Sequence, residues 1–428
     1  MLFAHNLIVY KVGNSLFKHI DSTSKSSKIK SLWKALFGRL PVKKNTVLFN
    51  SFYGMYNDNP RYVSIKLHEK YPDIKIIWVI SAKNHENVPD YVKTVKYESA
   101  KYYYWTYRAN AIVDNMLGIR PHGSSSKWYK NFLKSVLRIF APLRKKKQYN
   151  ISTWHGTPLK RLGLDRFDKP QPKFKRVQGS CDCMLAGCTL TRDCIKSAHF
   201  REFMVPFNMY GTPRNDILFD KDADILALKQ KLNLPEDKKI ILFAPTFRDD
   251  SIDDSGITQM NSIDFYGLFD TLHKKFGDEW CFVFRVHHVV VAKIDVDALV
   301  NKYGARFING NIGDDMAEYL KCADILLTDY SSSMFDYALT KKPCFLYTPD
   351  KEHYEKDLRG FYFSMDTLPF PVSNDYNGLI ENIQNFDDLD YMAKVDNFLT
   401  EIGNVEDGHA SERVVDDIKY FLDTGIKR

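Results

Sequence analysis

Runs of consecutive apolar residues recur along the chain, each closed by polar or turn-forming residues. Thr46–Ser51, Ile74–Ile80 and Ala111–Asn115 have this form. These runs predict strands. Between them, apolar positions at helical spacing predict helices over Arg61–Lys70 and Ser99–Arg108. Ile151–His155 and Cys183–Ala186 predict two further strands, Thr189–His199 a helix, and Gly211–Asp216 a turn-rich loop. From Lys221 the alternation repeats. Strands are expected at Lys239–Ala244, Trp280–Val286, Asp324–Leu327 and Cys344–Tyr347. Helices are expected at Ala223–Leu232, Phe265–Phe276, Gly313–Lys321, Ser332–Thr340, Gly378–Asn385 and Ser411–Asp423. Strand–helix alternation at this spacing implies parallel sheets with crossover helices. At 428 residues the chain exceeds one ordinary core. The expected fold class is therefore α/β, with two Rossmann-like doubly wound domains, 1–220 and 221–428. A ligand is expected in a cleft at the carboxyl ends of the strands.

Two segments depart from this pattern. Residues 25–44 carry Ile29, Leu32, Trp33, Leu36, Phe37 and Leu40 at helical spacing among seven Lys and Arg, with no acidic residue. Residues 127–147 repeat the theme, with Trp128, Phe132, Leu133, Val136, Leu137 and Phe140 flanked by eight Lys and Arg. One reading is a pair of surface helices packed on the domain core. The favoured reading is a pair of basic amphipathic helices on the first domain that meet an anionic membrane surface. Its contact residues are Trp33, Lys34, Trp128, Lys130, Phe132, Lys134, Arg138, Arg144, Lys145 and Lys146. Nucleic acid is not expected as a partner, because the basic residues alternate with aliphatic ones.

Composition adds little to this. Apolar residues make up 44% and charged residues 27%, with a net charge of +8. The seven cysteines are read as reduced thiols, mostly in apolar runs. Cys181, Cys183, Cys188 and Cys194 cluster, but one residue between Cys181 and Cys183 does not suit zinc, so no metal site is assigned. No run of 18 apolar residues predicts a transmembrane helix, and the first ten residues do not read as a signal peptide.

Candidate chemistry falls at the ends of predicted strands. Ile151–Lys160 brings His155 and Gly156 to a strand end ahead of Lys160 and Arg161. Ile241–Arg248 places Pro245, Thr246 and Arg248 after a strand. Phe282–His288 places Arg285 and His287 on one side of a strand by its period of two. Leu326–Ser333 leads through Ser331 and Ser332 into a helix containing Asp336. Each has a plain structural reading: the serines as caps, the arginines as ion-pair partners, the histidines as packed core groups. Their convergence on one expected cleft suits a diphosphate instead. No GxGxxG or Walker loop follows the first strand of either domain, so a dehydrogenase or P-loop enzyme is not expected.

The ordered motifs TWHGTPLK (153–160), GTPRND (211–216), APTFR (244–248), RVH (285–287), TDYSSSMFDYAL (328–339) and RGFYF (359–363) resemble the CDP-glycerol glycerophosphotransferase family. These enzymes build teichoic acids and related capsular polymers. The resemblance implies a GT-B fold and peripheral attachment to the cytoplasmic face of the bacterial membrane. It implies His155 as general base on the acceptor hydroxyl and His287 at the diphosphate or the departing CMP. It implies Arg214 and Arg285 neutralising phosphate charge. Gly156, Thr157, Pro158, Leu159, Pro245, Thr246, Ser331 and Ser332 would line the donor site, and Asp336 would hold a substrate hydroxyl. The family usually has proline after the second histidine, where this chain has His288. The alternatives are a looser His287 or a role shared with His288.

The implied reaction moves glycerol phosphate, or ribitol phosphate, from its CDP-linked donor to a lipid-linked or polysaccharide acceptor and releases CMP. No cofactor is implied, a divalent cation is left open, and a homo-oligomer or a biosynthetic complex is compatible. A nucleotide-sugar glycosyltransferase on the same fold is the competing enzyme reading, and a membrane-bound scaffold the non-catalytic one.

Overall fold

The computed structural model describes residues 33, 36–38, 40–81, 88–116, 148–166, 181–199, 205–246, 260–286, 296–311, 315–351 and 360–428. Most of segment 25–44, all of 127–147, and the residues Arg248, His287 and His288 lie outside them.

Two sheets carry the fold. The first contains β1 (Lys43–Asn50), β2 (Lys75–Ile80), β3 (Lys93–Lys96), β4 (Ala109–Asp114), β5 (Tyr149–Ser152), β6 (Cys183–Leu185) and β7 (Phe207–Asn208). Its order is β3-β2-β1-β4-β5-β6-β7. The second contains β8 (Lys239–Ala244), β9 (Trp280–Phe284), β10 (Phe307–Asn309), β11 (Ile325–Thr328), β12 (Cys344–Tyr347) and β13 (Val372–Ser373), in the order β10-β9-β8-β11-β12-β13. Each sheet starts in its middle and grows both ways. This creates a topological switch point between β1 and β4 in one sheet, and between β8 and β11 in the other. The second sheet is parallel throughout, as continuous apolar strands require when both faces are covered.

By packing, the chain forms two compact units. One is Met1–Trp154, Gly179–Met184 and Ser411–Arg428; the other is His155–Gln178 and Leu185–Ala410. This differs from a single cut at 220/221. The sheets divide between β7 and β8, but the last helix, Ala410–Thr424, packs with the first unit along Ser411–Thr424. Its apolar stripe explains this: Val414, Val415, Ile418 and Phe421 are buried, and the Phe421 ring lies 5.3 Å from Tyr149 on β5. Lys70 also bridges to Glu412 and Asp416 at 2.9 and 2.8 Å.

In the first unit Phe49 of β1 stacks on Trp78 of β2, with ring centres 5.3 Å apart. Trp33 is 2% exposed and lies 5.6 Å from the Tyr103 ring, and Phe37 is buried against Tyr104. The expectation of Trp33 at a membrane surface is therefore corrected. Its side chain packs on Tyr103 of the helix Ala100–Arg108, where an indole beside an aromatic-rich helix is withdrawn from water.

The carboxyl ends of β1 and β4 hold a buried polar cluster. The Asn115 amide donates to Ser51 Oγ (2.9 Å) and Asp58 Oδ2 (2.6 Å), and Ser51 Oγ donates to Asn57 Oδ1 (2.6 Å). Asn59, fully buried, directs one amide nitrogen at the carbonyls of Thr153 (3.3 Å) and Trp154 (2.9 Å). Trp154 has φ +54°, a left-handed conformation that a bulky residue adopts only when its surroundings impose it.

Candidate active site

The strand leading to His155 ends at Ser152, so the imidazole sits three residues beyond it, on a partly exposed loop. Within the second unit this loop is held from below. Arg214 Nη1 donates to the His155 carbonyl (2.9 Å). The same guanidinium places Nη2 at 2.6 Å and Nε at 3.1 Å from Asp336 Oδ2. The Asn215 amide donates to Asp336 Oδ1 at 3.2 Å. The Arg214 and Asp336 side chains are 12% and 6% exposed. Motifs GTPRND and TDYSSSMFDYAL thus meet beneath WHG.

This arrangement changes two expected roles. Asp336, expected to hold a substrate hydroxyl, is buried with both carboxylate oxygens engaged by Arg214 and Asn215. Arg214, expected at a phosphate, directs its fork at Asp336 and the His155 peptide. A buried ion pair of this kind fixes geometry, and losing one partner leaves an uncompensated charge. Gly156 is required here. Its φ is +128°, and a Cβ there would lie 2.6 Å from Arg214 Nη2.

Past Gly156, Thr157 accepts a hydrogen bond from the Thr191 hydroxyl at 3.0 Å. Pro158 is buried. Leu159, expected to line the donor site, is 1% exposed inside the second core, so its side chain is structural. The chain then pairs with RGFYF: Arg161 N–H donates to the Gly360 carbonyl (3.0 Å) and Tyr362 N–H to the Leu159 carbonyl (2.9 Å).

A second group of motifs meets at the switch point of the second sheet. Thr246, after β8, donates its N–H to Asp329 Oδ1 after β11 (2.9 Å), and Tyr330 N–H donates to the same oxygen at 2.6 Å. Pro245–Thr246 and Ser331–Ser332 thus follow the carboxyl ends of the neighbouring strands β8 and β11, at the switch point where sheets of this kind hold ligands. Ser331 Oγ lies 2.9 Å from Ser333 Oγ. The helix that follows, Ser333–Ala338, has only six residues, so its dipole is weaker than the sequence pattern suggests. Arg285 follows β9, with Nη1 on the Gly310 carbonyl at 2.7 Å and its guanidinium 4.6 Å from the Tyr319 ring centre.

Three residues at these two places escape a reading of the sequence alone. Asn215 and Asp329 lie inside recognised motifs but show no spacing that marks them. Glu406 lies in a polar stretch between helices. Its Oε2 accepts the Thr212 N–H at 2.9 Å, and its Oε1 is 3.4 Å from the Asn215 amide. Withdrawal of this carboxyl from water, reinforced by Asp336 and Asp216, pushes it up to about 7. Burial likewise pushes the thiols of Cys183, Cys194 and Cys281 up to about 12, so they are neutral.

Two Rossmann-like sheets define an α/β chain of GT-B-like fold. The chain belongs to the CDP-glycerol:poly(glycerophosphate) glycerophosphotransferase family, whose model matches residues 32–420. It is 31% identical over 392 residues to a teichoic acid poly(glycerol phosphate) polymerase of Staphylococcus epidermidis, covering 88% of this chain and 50% of that protein. It is 30% identical to a teichoic acid glycerol-phosphate transferase of Staphylococcus aureus, covering 89% and 94%. The chain thus spans about half the length of some relatives, the Bacillus subtilis polymerase (51%) among them, and nearly all of others. Among solved structures, the wall teichoic acid polymerase TagF superposes with a TM-score of 0.73 at 28% identity, covering 97% of this chain and 99% of that one.

Proposed function

We propose that the chain transfers glycerol phosphate from CDP-glycerol to a hydroxyl of a teichoic-acid-type polymer or its lipid-linked precursor, releasing CMP. The observation that carries this is the buried Arg214–Asp336 pair gripping the His155 peptide, in a chain of the glycerophosphotransferase family. A TagF crystal soaked with CDPG supports the same donor. The acceptor oxygen attacks the β-phosphorus, the bond from that phosphorus to the CMP oxygen breaks, and His155 takes the hydroxyl proton. A neutral imidazole near pH 7 suits this role. Positioning and charge stabilisation supply most of the acceleration in phosphoryl transfer.

The donor diphosphate is assigned to the crevice of Pro245, Thr246, Ser331 and Ser332, with Arg285 at its edge and His287 assisting CMP. Arg214 and Asp336 act on the loop instead of the ligand. The site of action is the cytoplasmic membrane surface, reached through the basic segment 127–147.

The test is CMP release with a donor panel of CDP-glycerol, CDP-ribitol, and UDP- and GDP-sugars, with product mass measurement. CDP-glycerol is expected to be consumed, and His155→Ala to lower kcat by about 10²- to 10⁴-fold. Wild-type turnover by that variant removes the base assignment. Consumption of nucleotide sugars with CDP-alditols inert replaces the whole reading.

A further inference from the structure

The Gly211–Asp216 loop that carries Arg214 is supported from its far side by the side chain of Glu406. Glu406 directs its carboxyl between two glycines. A Cβ on Gly187 would lie 2.0 Å from Oε1 and 2.7 Å from Thr212 Oγ1, and a Cβ on Gly211 would lie 2.8 Å from Oε2. Both are closer than real contacts, so neither position accepts a side chain while Glu406 occupies its place. Residue 406 as a whole retains some exposure, while its carboxyl oxygens lie against Gly187, Gly211 and the Thr212 N–H. Its backbone is anchored as well, since the neighbouring Val405 N–H donates to the Gly187 carbonyl at 2.9 Å.

From this carboxyl a continuous set of hydrogen bonds reaches the histidine loop. Oε2 accepts from Thr212 N–H (2.9 Å) and Oε1 approaches the Asn215 amide (3.4 Å). Asn215 donates to Asp336 (3.2 Å), Asp336 accepts from Arg214 (2.6 Å), and Arg214 donates to the His155 carbonyl (2.9 Å). We propose that Glu406 is a positioning residue for the transfer, seating the 211–216 loop so that Arg214 holds His155 at the acceptor. This rests on His155 acting as the base.

The charges around Glu406 are Asp336 and Asp216, which oppose its ionisation, and Arg214, which offsets Asp336. Asp216 is itself tied to the Ala410 N–H (2.9 Å), and Asp407 to the His409 N–H (3.1 Å). With its carboxyl near 7, the residue changes charge in the range where the base must be neutral. Ionised Glu406 repels Asp336 across the Asn215 amide, which directs its N–H groups at both carboxylates.

The test compares Glu406→Ala, Glu406→Asp and Glu406→Gln in the full chain. CMP release from CDP-glycerol is followed against pH, with hydrogen exchange of the peptides spanning 153–158 and 211–216. Glu406→Ala and Glu406→Asp are expected to lower kcat by about 10- to 100-fold, with donor KM nearly unchanged and faster exchange in both peptides. Glu406→Gln keeps the shape and the acceptor for Thr212, so it is expected to restore protection and most of kcat and to remove one ionisation from the pH profile. Wild-type kcat in Glu406→Asp, or lost kcat with exchange at 153–158 unchanged, overturns the proposal. The exchange results stand apart from the identity of the base: an active His155→Ala removes that assignment but leaves the loop measurement readable.

Discussion

A glutamate held near 7 by loss of water has a thermodynamic signature that distance measurements do not supply. Glu406 is raised from its ordinary 4.5 to about 7 on folding. Between those values the folded chain binds a proton that the unfolded chain releases. The contribution is therefore present in full below about pH 4.5 and is lost as pH rises through about 7. At about 1.4 kcal/mol per unit the loss is at most about 3 kcal/mol, and residual solvent at the residue lowers it. Glu406→Gln is expected to flatten this slope, so that thermal midpoints at pH 5 and pH 8 differ less in the variant than in the wild type. Parallel slopes would show that the carboxyl is solvated. This residue also marks how far the sequence could be read. His155 announces itself through a glycine and a proline next to it. Glu406 depends on Gly187 and Gly211, each about 200 residues away, and no local pattern encodes a meeting of that kind. Asp336 and Arg214 were legible as candidates because they lie in motifs. Their mutual pairing was not, since an aspartate one turn inside a helix has the same spacing whether it faces a ligand or an arginine.

The elements show the same division. Interior strands were legible from continuous apolar runs, and β8 and β12 fall where the pattern puts them, as do the helices Thr189–His199 and Phe265–Phe276. The strands that escaped, β3, β7, β10 and β13, are the four sheet edges. An edge strand pairs on one side only, so Lys93–Lys96 and Val372–Ser373 need few apolar residues and leave little signal. The helix Asp388–Glu401 also escaped, although Tyr391, Val395 and Phe398 bury one face at helical spacing and Asp387 caps it. Trp33 illustrates the converse error. Its stripe was legible, but periodicity cannot tell a protein core from a membrane, because both are apolar. Since Trp33 packs on the helix Ala100–Arg108, Trp33→Ala is expected to cost about 3–5 kcal/mol. Urea denaturation checks this: a lowered midpoint at unchanged slope is expected, and an unchanged midpoint returns Trp33 to the surface.

For the whole molecule, charge placement outweighs the total. The net charge of +8 is modest for 428 residues, but eight Lys and Arg fall within 127–147 with no Asp or Glu among them. With Trp33 in the core, the proposed membrane attraction rests on this segment more heavily than on a symmetrical pair of helices. Among the described residues no helix is long and apolar enough to cross a membrane. Each basic residue near an anionic leaflet contributes about 1 kcal/mol, and the attraction decays within a Debye length of about 8 Å at physiological salt. Replacing Lys130, Lys134, Lys145 and Lys146 with glutamine removes half of the cluster while preserving its apolar stripe. Flotation with phosphatidylglycerol-containing liposomes is then expected to fall at least about tenfold at low salt, and the wild type to lose binding as salt rises. Turnover of CDP-glycerol with a soluble acceptor should survive, because those lysines lie outside His155, Arg214 and Asp336. Flotation insensitive to both salt and the lysines would leave the apolar stripe as the anchor. Loss of soluble turnover as well would mean that segment 127–147 serves the His155 loop, only eight residues further along the chain, and not the membrane.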